Sequence, residues 1–234
     1  QIYTASENRL ALQELLPEAI ISCYDSYDDS QLSHLLDWAD VVCIGCGLGM
    51  GQISEKILKN VLKNVSCPCV IDADGLNLLS RNIELLNQCC APVILTPHMK
   101  EMSRLTGWSI DTIMEDRFQA LDQIIKQSGP DTKSSIICVL KDSRTVVAQT
   151  NRQRFVNLAG NNSMAKGGSG DVLAGTIAGL LAQHMAPFEA TTVGVFLHAC
   201  GGDEAKKSKG SYSVLARDLI QGMADAMKNA KECR

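Results

Sequence analysis

The segment of this chain best equipped for chemistry is Gly160-Asn161-Asn162-Ser163-Met164-Ala165-Lys166-Gly167-Gly168-Ser169-Gly170-Asp171, which runs directly into the apolar stretch Val172-Leu173-Ala174. Gly167, Gly168 and Gly170 let the backbone adopt unusual dihedrals and come close to a ligand. A helix opening there aims unpaired N–H groups and the positive end of its dipole at whatever binds. That combination is an anion cradle. A helix cap made by Ser169 or Asp171 is the simpler reading, but three glycines within Gly167–Gly170 exceed what a cap requires. Phosphate binding is therefore expected from Gly167, Gly168, Ser169 and Gly170. Asp171 beside a bound phosphate would be repulsive unless its carboxylate grips a substrate hydroxyl and orients or deprotonates it for attack on that phosphate. No Gly-Lys-Ser/Thr occurs, so the loop is not a Walker A element.

Three further segments carry polar or glycine-rich residues just after apolar runs. Gly45-Cys46-Gly47-Leu48-Gly49-Met50-Gly51 lacks the dinucleotide-fingerprint spacing, since its third glycine would have to fall at Met50. It reads as a loop where backbone passes close to a ligand. Asp72-Ala73-Asp74-Gly75-Leu76-Asn77 and Thr96-Pro97-His98 follow the next two runs. For Asp74 and Asn77, turn and capping chemistry competes evenly with a binding role. His98 is either a surface loop residue or, fixed by Pro97 and a following helix, a residue of the ligand edge.

These segments need a scaffold that brings them to one place. Short β-branched runs recur at residues 19–23, 41–45, 69–72, 93–96, 136–140 and 145–148, and helix-period stretches such as Ile53-Ile57-Leu58-Val61-Leu62 lie between the first four. The expected fold is α/β, a mostly parallel central sheet with helices on both faces, whose strand ends deliver the polar loops to one edge. The polar Lys141-Asp142-Ser143-Arg144 joins the last two runs as a hairpin at one sheet edge. From Asp171 onward the pattern is helical, with candidates at 172–183, 187–205 and 214–227; Pro187 suits a first turn and Gly210 a break. With 234 residues, no repeat and no composition shift, a single domain over residues 1–234 is expected. The chain opens at Gln1-Ile2-Tyr3-Thr4 without an initiator Met, as if within or just after a strand, which suggests that something preceded it.

Composition narrows the functional classes. Hydrophobic residues make up 45% and charged residues 21%, enough apolar content to bury a core. A net charge of -4 with no Lys/Arg cluster beyond Lys206, Lys207 and Lys209 argues against nucleic acid or an anionic membrane as partner. The apolar stretch at 172–182 is about half the ~20 residues that a bilayer span needs. Ten cysteines in a chain of this length without a leader pattern point to a reducing cytoplasm rather than a disulfide scaffold. Cys43-x-x-Cys46 and Cys67-x-Cys69 have superficial metal or redox spacing, but Cys43 and Cys69 lie in apolar runs and read as buried strand residues, so no metal site is expected.

Taken together and in this order, Gly45 to Gly49, Val70 to Asn77, Val93 to Leu105, Val139 to Thr145 and Gly160 to Gly175 resemble the NAD(P)H-hydrate dehydratase family, a branch of the ribokinase-like kinases. The resemblance implies a ribokinase-like three-layer sandwich and a lyase that uses ADP or ATP, with Mg²⁺, to dehydrate NADH hydrate or NADPH hydrate by phosphorylating its hydroxyl and eliminating phosphate. It implies that Gly47, Gly49 and His98 contact the hydrated dinucleotide, and that Lys141, Asp142, Ser143, Arg144 and Thr145, with Gly170, contact the nucleotide. Asp171 resembles the family's catalytic acid, while Asp74, Asn77 and Asn161 are secondary candidates. A cytoplasmic homotetramer, absence of the family's first strand and helix, and a fused or partner epimerase domain are further implications. The family usually has Pro at the position of Cys46, Pro-Gly at Met99-Lys100, Gly at Asp142 and Pro-Gly at Asn162-Ser163, departures that loosen turns without deleting a reactive group. A ribokinase-like kinase of a small alcohol or vitamin precursor would use the same loop and aspartate. A catalytically silent nucleotide-binding protein would have no need of Asp171.

Overall fold

A computed structural model describes residues 1–127, 134–150 and 153–232. Its core is a six-stranded sheet in the order β3-β4-β5-β6-β7-β8, formed by Val42–Ile44, Cys69–Ile71, Val93–Leu95, Ile136–Leu140, Val146–Gln149 and Arg154–Val156. The first four strands are parallel and the last two pairings antiparallel. Because side chains alternate across a strand, the register row Val70, Ile94 and Ile137 enters one core and the row Ile71, Leu95 and Cys138 enters the other. Both rows are fully apolar, as a sheet covered on two faces demands.

One face is covered by α3 (Gln52–Asn64), α4 (Ala73–Leu79), α5 (Met99–Thr106) and α7 (Arg117–Gln127), which contribute Leu58, Leu76, Met102 and Leu121. The other face is covered by α8 (Ser169–Leu181) and α9 (Pro187–Lys209), through Leu173, Ile177 and Val195. Against these lies α10 (Ala216–Glu232). The remaining helices are α1 (Arg9–Leu15), α2 (Asp29–Trp38) and α6 (Ile110–Glu115). The expected three-layer α/β arrangement is what the structure shows.

Four expectations change in detail. The run at 19–23 becomes β2 (Ile21–Tyr24), which pairs in parallel with β1 (Ile2–Ala5) in a separate two-stranded sheet; its residues are only half-buried, so nothing demands the two-faced cover of the main sheet. The β6–β7 hairpin is not at the edge, because Arg154–Val156 adds β8 outside it. Helix α9 runs on to Lys209, where Lys206, Lys207 and Lys209 complement the negative end of its dipole and Gly210 stops it at φ +74°. Cys69 is buried as expected, but Cys43 is exposed, because β3 is the edge strand of the six-stranded sheet.

The strand ends are held close together. Gly45, just after β3, has φ +123°, and a β-carbon there would lie 1.8 Å from the carbonyl oxygen of Asp72 after β4. Ala73, next to it, adopts φ +47°, a strained value for a residue with a β-carbon. Gly45→Ala is therefore expected to destabilise the protein by about 3 kcal/mol or more, since it combines a left-handed backbone with a backbone clash. Urea unfolding of the variant checks this.

Candidate active site

The carboxyl ends of β3 to β6 share one edge, and the loops expected to do chemistry meet there. Helix α8 begins at this edge. Its N-cap, Gly168, has φ +85°, so the chain turns sharply into the helix from Gly167. The amide of Ser169 bonds the carbonyl of Lys166 and that of Val172 bonds Gly168. The amides of Gly167, Gly168, Gly170 and Asp171 take no partner among the described residues, as expected for a first helical turn. This is the arrangement that receives an anion.

Ser169 departs from the expected phosphate contact at its side chain, which is buried and faces inward, with Oγ 3.3 Å from Nε2 of His198 on α9. Burial lowers the His198 pKa from 6.5 to about 4, so the ring is neutral near pH 7. The sign follows from linkage: the unfolded chain binds the proton first, so this contribution to stability is complete above pH 6.5 and is lost as pH falls toward 4. A loss of about 3 kcal/mol across that window is expected from this residue. Urea unfolding at both ends of the window should show it, and His198→Gln should flatten the dependence.

Asp171, in the first turn of α8, lies exposed. Its carboxylate, that of Asp72 and Cys46 Sγ all lie within 4.8 Å of one another, the one such group of three among the described residues. Cys46 is exposed and lies close to the Cys43 thiol. Interaction between the two holds the Cys43 thiol below its ordinary value and, with partial desolvation and the nearby Asp171 carboxylate, pushes Cys46 well up. Of the two cysteine pairs with metal-like spacing, Cys46 alone contributes to this group; Cys43, Cys67 and Cys69 are not part of it.

Asp72 is buried and committed. Its Oδ1 accepts from Thr96 Oγ1 at 2.8 Å and from Lys141 Nζ at 2.6 Å. Lys141 thus reaches back beneath the cradle instead of pointing outward with its loop: a β-carbon on Gly170 would stand 3.1 Å from its Nζ. The rest of that loop divides. Asp142 pairs with Arg117 at 2.8 Å, so its carboxylate is compensated by a cation. Thr145 Oγ1 donates to the Asp142 carbonyl at 3.3 Å, and Ser143 and Arg144 are exposed.

On the opposite flank, His98 is the N-cap of α5 and shares a capping box with Glu101. Its Nδ1 accepts the amides of Lys100 and Glu101 at 3.1 Å each, while Glu101 Oε2 accepts the His98 amide at 2.8 Å. The ring is fixed yet half-exposed at the ligand edge. Glu101 is buried, and burial raises its pKa. Of the two glycines expected at the substrate, Gly49 spends its amide on Asp74 Oδ2 at 2.9 Å, whereas Gly47 is exposed with open space around it. Asp74 therefore ties two loops together, and Asn77 Oδ1 holds Arg104 at 2.7 Å. Asn161 caps a 3-10 turn and donates to Asp203 on α9 at 2.7 Å. Each of these three secondary candidates has a protein hydrogen-bond partner in this geometry.

A family model described as NAD(P)H-hydrate dehydratase matches residues 1–224. The chain belongs to the NAD(P)H-hydrate dehydratase family. It is 35% identical over 222 residues to an ADP-dependent (S)-NAD(P)H-hydrate dehydratase of Neisseria meningitidis, covering 93% of this chain and 73% of that protein. It is 37% identical over 193 residues to a bifunctional NAD(P)H-hydrate repair enzyme of Moorella thermoacetica, covering 82% of this chain but spanning only 35% of that longer protein. Among solved structures, the ADP/ATP-dependent NAD(P)H-hydrate dehydratase of Bacillus subtilis, co-crystallised with ATP and Mg²⁺, superimposes with a TM-score of 0.74 at 25% identity, covering 96% of this chain and 76% of that one. The structure brings Asp171, His98 and the glycine-rich turn, all singled out from the sequence, to the same strand-end edge. The sequence alone did not single out Asp72, Thr96, Glu101 or His198, whose signal was only their place at a strand end or on a buried helix face.

Proposed function

We propose that this chain dehydrates NADH hydrate or NADPH hydrate at the expense of a nucleoside di- or triphosphate. The observation that carries the reading is the exposed Asp171 carboxylate in the first turn of a helix whose opening amides take no partner among the described residues. The amides of Gly167, Gly168 and Gly170 hold the terminal phosphate, and their dipoles are already oriented where charge passes during transfer. Asp171 accepts the proton of the substrate hydroxyl as its oxygen attacks phosphorus, and the nucleotide leaves one phosphate shorter. Breaking of the ring carbon–oxygen bond then releases inorganic phosphate, and proton loss from the adjacent carbon restores the double bond. His98 and Gly47 line the dinucleotide side, with His98 immobilised by its cap.

For Mg²⁺ the donor set offers little protein cage: a thiol is a poor ligand for a hard cation, and Asp72 is taken by Lys141 and Thr96. The set fits an ion carried mainly by the nucleotide's phosphates, with Asp171 as the nearest free carboxylate. Such an ion neutralises phosphate charge. Cytoplasmic placement and a homotetramer belong to the same reading on the strength of the family resemblance, and light scattering tests the assembly.

The deciding experiment is an assay with hydrated NADH or NADPH and either ADP or ATP. Recovery of dihydronicotinamide absorbance with stoichiometric inorganic phosphate supports dehydration. A stable phosphorylated product with no recovery would make the chain a small-alcohol kinase instead.

A further inference from the structure

Beneath the cradle runs a chain of buried charges whose purpose the proposed reaction does not yet explain. Asp72 is 1% exposed, and both its oxygens are placed: Oδ1 on Thr96 and Lys141, Oδ2 at 3.5 Å from where a β-carbon on Gly170 would stand. The Lys141 ammonium has three directions open to it. Asp72 lies at 2.6 Å, Glu101 Oε2 at 3.9 Å, and the third faces Gly170, where there is no side chain to intervene. Its backbone is pinned as well, the Lys141 amide donating to the Pro97 carbonyl at 2.8 Å beside His98.

A lysine carries a point charge on a flexible stem, so its location is decided by its partners. Here the competing partner is close. The Asp171 carboxylate lies within 4.8 Å of that of Asp72, and an ammonium released from Asp72 would be drawn to it. A buried ion pair adds little net stability, because desolvating both charges offsets their attraction. Its value at this point is positional.

We propose that Asp72 is a positioning residue for phosphoryl transfer: it holds the Lys141 ammonium against Gly170, where a cation meets the oxygens of the transferred phosphate, and keeps it from neutralising Asp171. Thr96 fixes the Asp72 carboxylate from the far side, and Glu101 offers the ammonium a second, weaker anchor. The assignment rests on the phosphoryl-transfer reading above.

The test is a double-mutant cycle of Asp72→Asn and Lys141→Met, with ADP and ATP binding measured by calorimetry in Mg²⁺, turnover measured alongside, and a thermal melt of every variant. Asp72→Asn is expected to weaken nucleotide binding ~10- to 100-fold, the value of one charge-assisted contact, and to lower turnover further. Adding Asp72→Asn to Lys141→Met should change nucleotide binding by less than about twofold, because the group that Asp72 positions is already gone. A folded Asp72→Asn protein that binds and turns over like wild type overturns the proposal, as do losses that simply add in the double variant. If Asp72→Asn alone fails to fold, the comparison of Lys141→Met with the double variant, from which both buried charges have been removed, decides it in the same terms. Wild-type protein that binds neither nucleotide would instead strike down the phosphoryl-transfer reading, and this assignment with it.

Discussion

Replacing Asp171 with asparagine should lower turnover by ~10²- to 10⁴-fold, the usual worth of a positioned general base, while leaving the melting temperature nearly unchanged. The substitution keeps the side chain's size and some of its capping ability, so the first turn of α8 is preserved and only the charge is removed. Nucleotide should bind as well or better, since a carboxylate no longer opposes the phosphate at the cradle. This split between binding and rate separates a base from a helix cap. If turnover of the variant stayed near that of wild type, Asp171 would be a cap, and the chemistry would have to be taken away from this loop. The neighbouring residues sharpen the expectation: Asp72 already has Lys141 and Thr96 as partners, so it is not free to replace the missing base.

The second large effect is expected from Gly168→Val. Gly168 holds φ +85° at the N-cap, a conformation that costs a β-branched residue about 1–3 kcal/mol, and its new β-carbon would lie 3.1 Å from that of Ala216 on α10. Relief requires the turn to open, and the amides on either side of it then no longer converge. Loss of two charge-assisted hydrogen bonds to phosphate is worth ~10²- to 10⁴-fold in affinity. Calorimetry with ADP or ATP should therefore find nucleotide binding close to abolished, while far-ultraviolet circular dichroism still reports a folded chain. Unchanged affinity in a folded Gly168→Val protein would show that phosphate is held elsewhere.

Much of this site was legible in the order of residues along the chain. The apolar runs that become β4, β5 and β6 are hydrophobic at every position because both sheet faces are covered, and that requirement is local enough to read directly. Glycines before a helix imply an anion site for reasons of backbone geometry, and a carboxylate in that first turn implies a hydroxyl to act on; neither inference needs the fold.

Tertiary structure alone decided the rest. The loop that carries Lys141 could be read from the sequence but its partner could not: 69 residues separate Lys141 from the Asp72 that holds its ammonium beneath the cradle, and no local pattern encodes a partner so distant. Cys43 looked like an interior strand residue because its neighbours are apolar; whether a strand lies inside or at the edge of a sheet depends on pairing with other strands, and β3 came to lie at the edge. For Asp74 and Asn77 turn and binding chemistry compete evenly along the chain, and nothing near them in sequence names the partners that the fold supplies, the Gly49 amide and Arg104. Periodicity and turn chemistry depend on neighbours in the chain, and so they assigned the elements and the reactive loop. Which charge meets which across the top of the sheet depends on where four parallel strands end together, and only the folded chain decides that.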